Sequence, residues 1–119
     1  MNAEPMLSTE DRDGVMIARV TGEVDLANAA RLGRALTRAI PNDAVGVVID
    51  LSDTSYLDSS GVSLVFDLAE RMKARQQELR VALPADAPLR RVLRVVNLES
   101  VVPILTTADD AVAEIRREV

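Results

Sequence analysis

Four consecutive residues, Asp58-Ser59-Ser60-Gly61, set a carboxylate and two hydroxyls where an apolar run gives way to a helical period. At such a handover the chain offers unpaired backbone N–H groups and the positive end of a helix dipole. An anion, a phosphate included, is readily accepted there. Two jobs suit the serines. Asp and Ser are favoured helix caps, so the tetrapeptide needs no function beyond starting a helix. Alternatively, one of the hydroxyls is a phosphoacceptor.

A nucleophilic serine is a different matter. It needs a base about 2.6–3.2 Å away. The chain has no His and no Cys. Lys73 is the only lysine, and it follows Ser59 by fourteen residues on the same predicted helix. At about 1.5 Å per residue that is roughly 20 Å, which excludes a Ser–Lys dyad. Asp58 is adjacent, but an ordinary carboxylate is a poor base for a serine hydroxyl. Asp50, Asp53 and Asp58 are conceivable magnesium ligands. No phosphate-cradling Gly-rich loop accompanies them. Asp109-Asp110 reads better as acid in a helix's first turn. Arg90, Arg91 and Arg94 read as the solvated side of an amphipathic helix. The residues therefore point away from an enzyme, and no metal or cofactor is expected.

Composition narrows the class further. The chain has 119 residues, 14 basic and 19 acidic, for a net charge of −5. An acidic surface argues against nucleic acid, as do only two aromatics, Tyr56 and Phe66. No apolar run reaches the roughly 20 residues that span a bilayer, so no membrane partner is expected. Met1-Asn2-Ala3-Glu4-Pro5 does not read as a signal peptide, so a cytoplasmic location is expected. The absence of Cys excludes disulfides and thiolate metal sites. The length suits one domain over 1–119, with a core of about 14–116.

The elements that must position the tetrapeptide alternate between two periods. Val15 to Thr21 predicts a strand with Ile17, Arg19 and Thr21 on a partly wet face. Met6 to Ser8 is a candidate neighbour, with Glu10 to Gly14 as a polar turn. Gly22 breaks the run, and Glu23-Val24-Asp25 forms a short second stretch. Leu26 to Ile40 predicts a helix capped by Asp25 and ended by Pro41. Val45 to Leu51 is nearly all apolar, as in a strand buried on both faces. A loop, Ser52-Asp53-Thr54-Ser55, leads through Tyr56-Leu57-Asp58 to a helix over Ser60–Arg75. Its inner stripe is Val62, Val65, Phe66, Ala69 and Met72. Glu78 opens a strand carrying Leu79, Val81 and Leu83. A short helix with Leu89, Val92, Leu93 and Val96 follows Pro88, and Asn97 closes it. Val101 to Leu105 predicts an edge strand, because Pro103 cannot donate to a ladder. Thr107 caps a last helix with Ala108, Ala111, Val112, Ile115 and Val119 inward. Strand–helix–strand units put their strands parallel. The expected class is α/β, a mixed sheet of four to five strands with about four helices.

At these spacings three segments carry a resemblance: Thr21-Gly22-Glu23-Val24-Asp25, the strand end Val48-Ile49-Asp50-Leu51, and Tyr56-Leu57-Asp58-Ser59-Ser60-Gly61-Val62. From about Val15 to Ile115 the chain resembles the anti-sigma factor antagonists, stand-alone members of the STAS domain family. The resemblance implies a single STAS-like domain whose phosphoacceptor is Ser59. It implies a partner-facing surface of Gly22, Glu23, Asp25, Thr54, Tyr56, Leu57, Asp58, Ser60, Gly61 and Val62. The implied partner is an ATP-binding anti-sigma factor of the serine-kinase type, which gives up its sigma factor. Phosphorylation of Ser59 would end the docking, and a protein phosphatase would reset it. Alternatives within the resemblance are a scaffold subunit of a stress-signalling assembly and an accessory subunit of an ABC-type transporter. Two departures affect loop shape: Gln76-Gln77 stands where the family often has Gly-Gly, and Asn97 where it often has Gly.

Overall fold

The computed structural model describes residues 6–119, so the reading of residues 1–5 lies outside the described residues. Its centre is the pair of most apolar segments. Strand β2 (Val15–Val24) and strand β3 (Gly46–Asp50) lie parallel, with Met16 opposite Val47 and Ala18 opposite Ile49. Strand β1 (Met6–Arg12) pairs antiparallel on the outer side of β2, and strand β5 (Glu78–Ala82) pairs parallel beyond β3. The two-residue strand β6 (Ile104–Leu105) closes that edge. A sixth strand, β4 (Thr54–Leu57), pairs with the far end of β2, off the main path. The α/β mixed sheet is thus as expected in kind, but has six strands instead of four to five.

Helices α1 (Ala29–Ala39), α2 (Ser59–Ala74) and α3 (Leu89–Val95) cover one face. Their core residues include Leu36, Leu68, Met72 and Leu93, packed on Val20, Val47, Ile49 and Val81. Helix α4 (Ala108–Glu118) alone covers the other face, where Ala111, Val112 and Ile115 meet Val15, Ile17 and Val48. Thr107 caps it by accepting from the Asp110 N–H, as expected.

Several local expectations are corrected. Glu10 to Arg12 is strand, not turn, and only Asp13-Gly14 turns. Its charges are what an edge strand wears to discourage further pairing, and Arg19 bonds Glu10 at 2.5 Å. Ile17 is fully buried under α4, so the face is wet only from Arg19 onward. Gly22 does not end β2, which continues through an irregularity to Val24. Helix α1 begins at Ala29, not Leu26. Leu68 joins the inner stripe of α2, while Phe66 is only half-buried. Val96 and Val119 are exposed rather than inward, and the last strand is confined to Ile104–Leu105.

The two family departures both adopt the left-handed backbone that glycine favours: Gln76 has φ 58° and Asn97 has φ 56°. Asn tolerates this region, as expected, whereas a long side chain is strained there. Replacing Gln76 with Gly is therefore expected to stabilise the fold by about 1 kcal/mol, read as a raised urea midpoint at unchanged slope. An unchanged or lowered midpoint would show that Gln76 is not strained.

Candidate functional site

The site is built where β3 leaves the sheet. After Asp50 the chain turns through Ser52-Asp53, and Thr54 re-enters beside β2 as β4. The buried Thr54 hydroxyl donates to the Val20 carbonyl at 2.7 Å, and the Gly22 N–H donates to the Asp53 carbonyl at 3.2 Å. Glu23 then lies opposite Tyr56 and Val24 opposite Leu57. Ser55 and Tyr56 face water while Thr54 and Leu57 anchor the core.

Asp58 converts this strand into a helix. Its backbone is extended, and its Oδ1 accepts the N–H groups of Ser60 at 2.8 Å and Gly61 at 3.2 Å. Its Oδ2 accepts a third N–H from Leu26, at 3.2 Å. One carboxylate therefore caps α2 and ties that cap to the loop before α1. The same loop is folded on itself. Asp25 Oδ1 accepts the Ala27 N–H, and the Asp25 N–H donates to Asn28 Oδ1, both at 3.0 Å. The buried Asn28 side chain also donates to the Glu23 carbonyl. Asp25 thus shapes a turn ahead of α1 and is not its cap, since Asn28 holds the capping position.

These bonds bring the Glu23–Leu26 turn and the head of α2 together at one end of the domain. Ser59 is exposed on the first turn of α2, and its hydroxyl bonds no described residue. Around it lie Leu26, 82% exposed, and Tyr56, 49% exposed. Glu23, Asp25 and Asp58 are half-buried at the same end, and Asp53 is exposed. Of the residues expected at this surface, Thr54, Leu57, Gly61 and Val62 are buried and support it from below. Gly22, Glu23, Asp25, Tyr56, Asp58 and Ser60 retain exposure there. Leu26 was not foreseen, because it fits a helical period in the sequence. Its only signal there is an apolar residue beside a capping Asp.

Among the described residues no three acidic side chains gather to hold a metal ion. Asp50 is occupied by the Ser52 hydroxyl at 2.6 Å. Arg90 is not merely solvated; its guanidinium donates to the Leu83 and Pro84 carbonyls. Among the described residues, no helix is long and apolar enough to cross a membrane.

The STAS domain model matches residues 6–111, nearly the whole chain. This chain belongs to the STAS domain family. It is 26% identical over 111 residues to the anti-sigma-F factor antagonist RsfB of Mycobacterium tuberculosis, covering 92% of this chain and 88% of that one. It is 29% identical over 107 residues to the putative anti-sigma factor antagonist BtrV of Bordetella bronchiseptica, covering 90% and 91%. Among solved STAS structures, an anti-sigma factor antagonist from Mycobacterium paratuberculosis superposes with a TM-score of 0.84 at 28% identity, covering 95% of each chain.

The latch at Asp58 makes a direct prediction for this STAS domain. Asp58→Ala removes the cap and the tie to Leu26, and is expected to cost about 1–2 kcal/mol. The thermal midpoint should fall by roughly 4–8 °C. A midpoint within 1 °C or so of wild type would mean that the three bonds contribute nothing.

Proposed function

We propose that the chain is an anti-sigma factor antagonist. Unmodified, it docks its Ser59 end on an ATP-binding anti-sigma factor of the serine-kinase type, and the sigma factor is released. The partner then transfers the γ-phosphoryl group of ATP to Ser59 Oγ. The new P–O bond forms as the bond to ADP breaks. The hydroxyl proton must leave to a base of the partner, because this chain has no His and both Asp58 oxygens already accept N–H groups. A protein phosphatase resets the switch. The role of this chain is regulatory rather than catalytic.

The observation that carries the reading is the exposed Ser59 hydroxyl, bonded to no described residue, on a helix start capped by Asp58. The names of the relatives support an anti-sigma factor as the partner. Phosphorylation adds about −1.5 to −2 charges to an end that already gathers carboxylates. The Ser60 and Gly61 amides at the head of α2 are taken by Asp58, which leaves a phosphate on Ser59 fewer local donors, so its charge falls on the interface.

The test is capture of the partner by the wild-type chain, followed by incubation with ATP and intact-mass measurement. One added phosphate that maps to Ser59 and is lost in Ser59→Ala supports the reading. A phosphate elsewhere, or none with a partner that hydrolyses ATP, overturns the switch.

A further inference from the structure

Helices α1 and α2 lie side by side on one face of the sheet, and between their outer flanks runs a groove of about 410 Å³. Its floor is apolar: Leu36 and Leu68 are buried, Leu64 is half-buried, and Gly33 presents no side chain. A Cβ at Gly33 would touch Leu64 Cδ1 at 3.6 Å, so the helices meet closely beneath the groove. The rim is basic. Arg34, Arg38 and Arg71 are exposed and line it against a single carboxylate, Asp67. None of the three arginines forms an ion pair among the described residues, whereas Arg12, Arg19 and Arg80 are all paired within the fold. On a chain of net charge −5, three unpaired cations around an apolar trough invert the local charge. One end of the groove is lined by Ser60, so the trough opens directly beside Ser59.

We propose that this groove receives an acidic amphipathic helix of the anti-sigma factor, giving the partner a second point of attachment beyond the Ser59 end. The identity of that partner rests on the function proposed above; the chemistry of the occupant rests on the groove. Ser60 to Arg71 spans about 16 Å along α2, which matches about three turns of a docked helix. A helix in a groove places apolar anchors on the floor and polar residues on the rim. Guanidinium forks suit carboxylates on that rim. A small amphiphile is disfavoured, because pockets for such ligands enclose most of the ligand surface and this trough lies open between two helices. The two attachment points differ in sign, acidic at the helix start and basic along the flank. A partner must therefore match both, which fixes its orientation.

The test uses the anti-sigma factor captured by the wild-type chain, purified and titrated calorimetrically at two salt concentrations. Arg34→Glu with Arg71→Glu reverses the rim, and Ser63→Phe fills the groove from an exposed position that lines it. Thermal midpoints near wild type establish that both variants fold. Each is expected to weaken binding at least about tenfold, and the rim variant should also flatten the salt dependence. The loss from Arg71→Glu should add to that of Ser59→Asp, since Arg71 lies twelve residues along α2 from Ser59. If both groove variants bind as wild type while Ser59→Asp does not, the groove inference is overturned and the functional reading stands. If the wild-type chain captures no anti-sigma factor, the functional reading fails and this inference with it. Altered self-association by light scattering, or altered binding to anionic vesicles, with unchanged anti-sigma affinity assigns the groove to a second copy or to lipid and also overturns it.

Discussion

Ser59→Asp is expected to fold as wild type and to bind the anti-sigma factor about a hundredfold more weakly, a change of about 2.7 kcal/mol. Folding should survive because Ser59 is exposed and its hydroxyl bonds no described residue. Surface substitutions of that kind usually fall within about 0.5 kcal/mol. Binding should not survive, because Ser59 lies at the proposed contact surface, where a new charge must be desolvated on docking. Ser59→Ala, by contrast, should bind within about threefold of wild type, since no bond of the hydroxyl is lost within the chain. Raising the salt should recover part of the Ser59→Asp loss if repulsion causes it. Calorimetric titration of the three proteins checks this; equal affinities for Ser59→Asp and wild type would remove the switch.

Much of the fold was legible in the sequence because its central elements are governed by local rules. Val45 to Leu51 lacks alternation, and burial on both faces is the one packing that permits this. The cap of α4 is a short-range pattern, Thr107 reaching Asp110. The misreadings share a non-local cause. Thr54-Ser55 reads as loop in the sequence because β4 is only four residues long, and it is a strand by virtue of its pairing with Gly22–Val24. Leu26 fits a helical period, but side chains of Asp25 and Asn28 bond the backbone there and hold a turn instead. Ile17 looked half-wet because nothing in its own strand announces that α4 returns to cover it. The site was legible to the same degree. Asp58 as cap follows from residue type, while its bond to Leu26 joins positions 32 residues apart. The groove depends on which flanks of α1 and α2 meet, and neither helix records that alone.

Gly61→Val is expected to destabilise the domain by about 3 kcal/mol and to weaken partner binding as well, although Gly61 is buried and no partner can touch it. The cause is the approach of α2 to β4 and β2. A Cβ at position 61 would lie 2.4 Å from Leu57 Cδ1, 2.8 Å from Leu57 Cγ and 3.1 Å from Val24 Cγ1. Leu57 is 5% exposed and Val24 1%, so neither side chain has solvent to retreat into. Either they repack or the head of α2 lifts. Lifting would draw the Gly61 N–H away from Asp58 Oδ1 and loosen the tie to Leu26, so Ser59 would no longer be presented in one orientation. Gly61→Ala should show the same effect at a smaller size, about 1–2 kcal/mol, because gained helix propensity offsets roughly 1 kcal/mol of the clash. The compensating variant distinguishes a steric cause from a propensity effect. Leu57→Ala alone opens a cavity and destabilises by about 2–4 kcal/mol. Combined with Gly61→Ala it supplies the space that the new methyl group needs, so the double variant should be more stable than the sum of the singles by about 1 kcal/mol or more. Urea denaturation of all four proteins measures that coupling. Strict additivity would mean that the helix start is not held against Leu57, and the exposed hydroxyl would then owe its position to the Asp58 carboxylate alone.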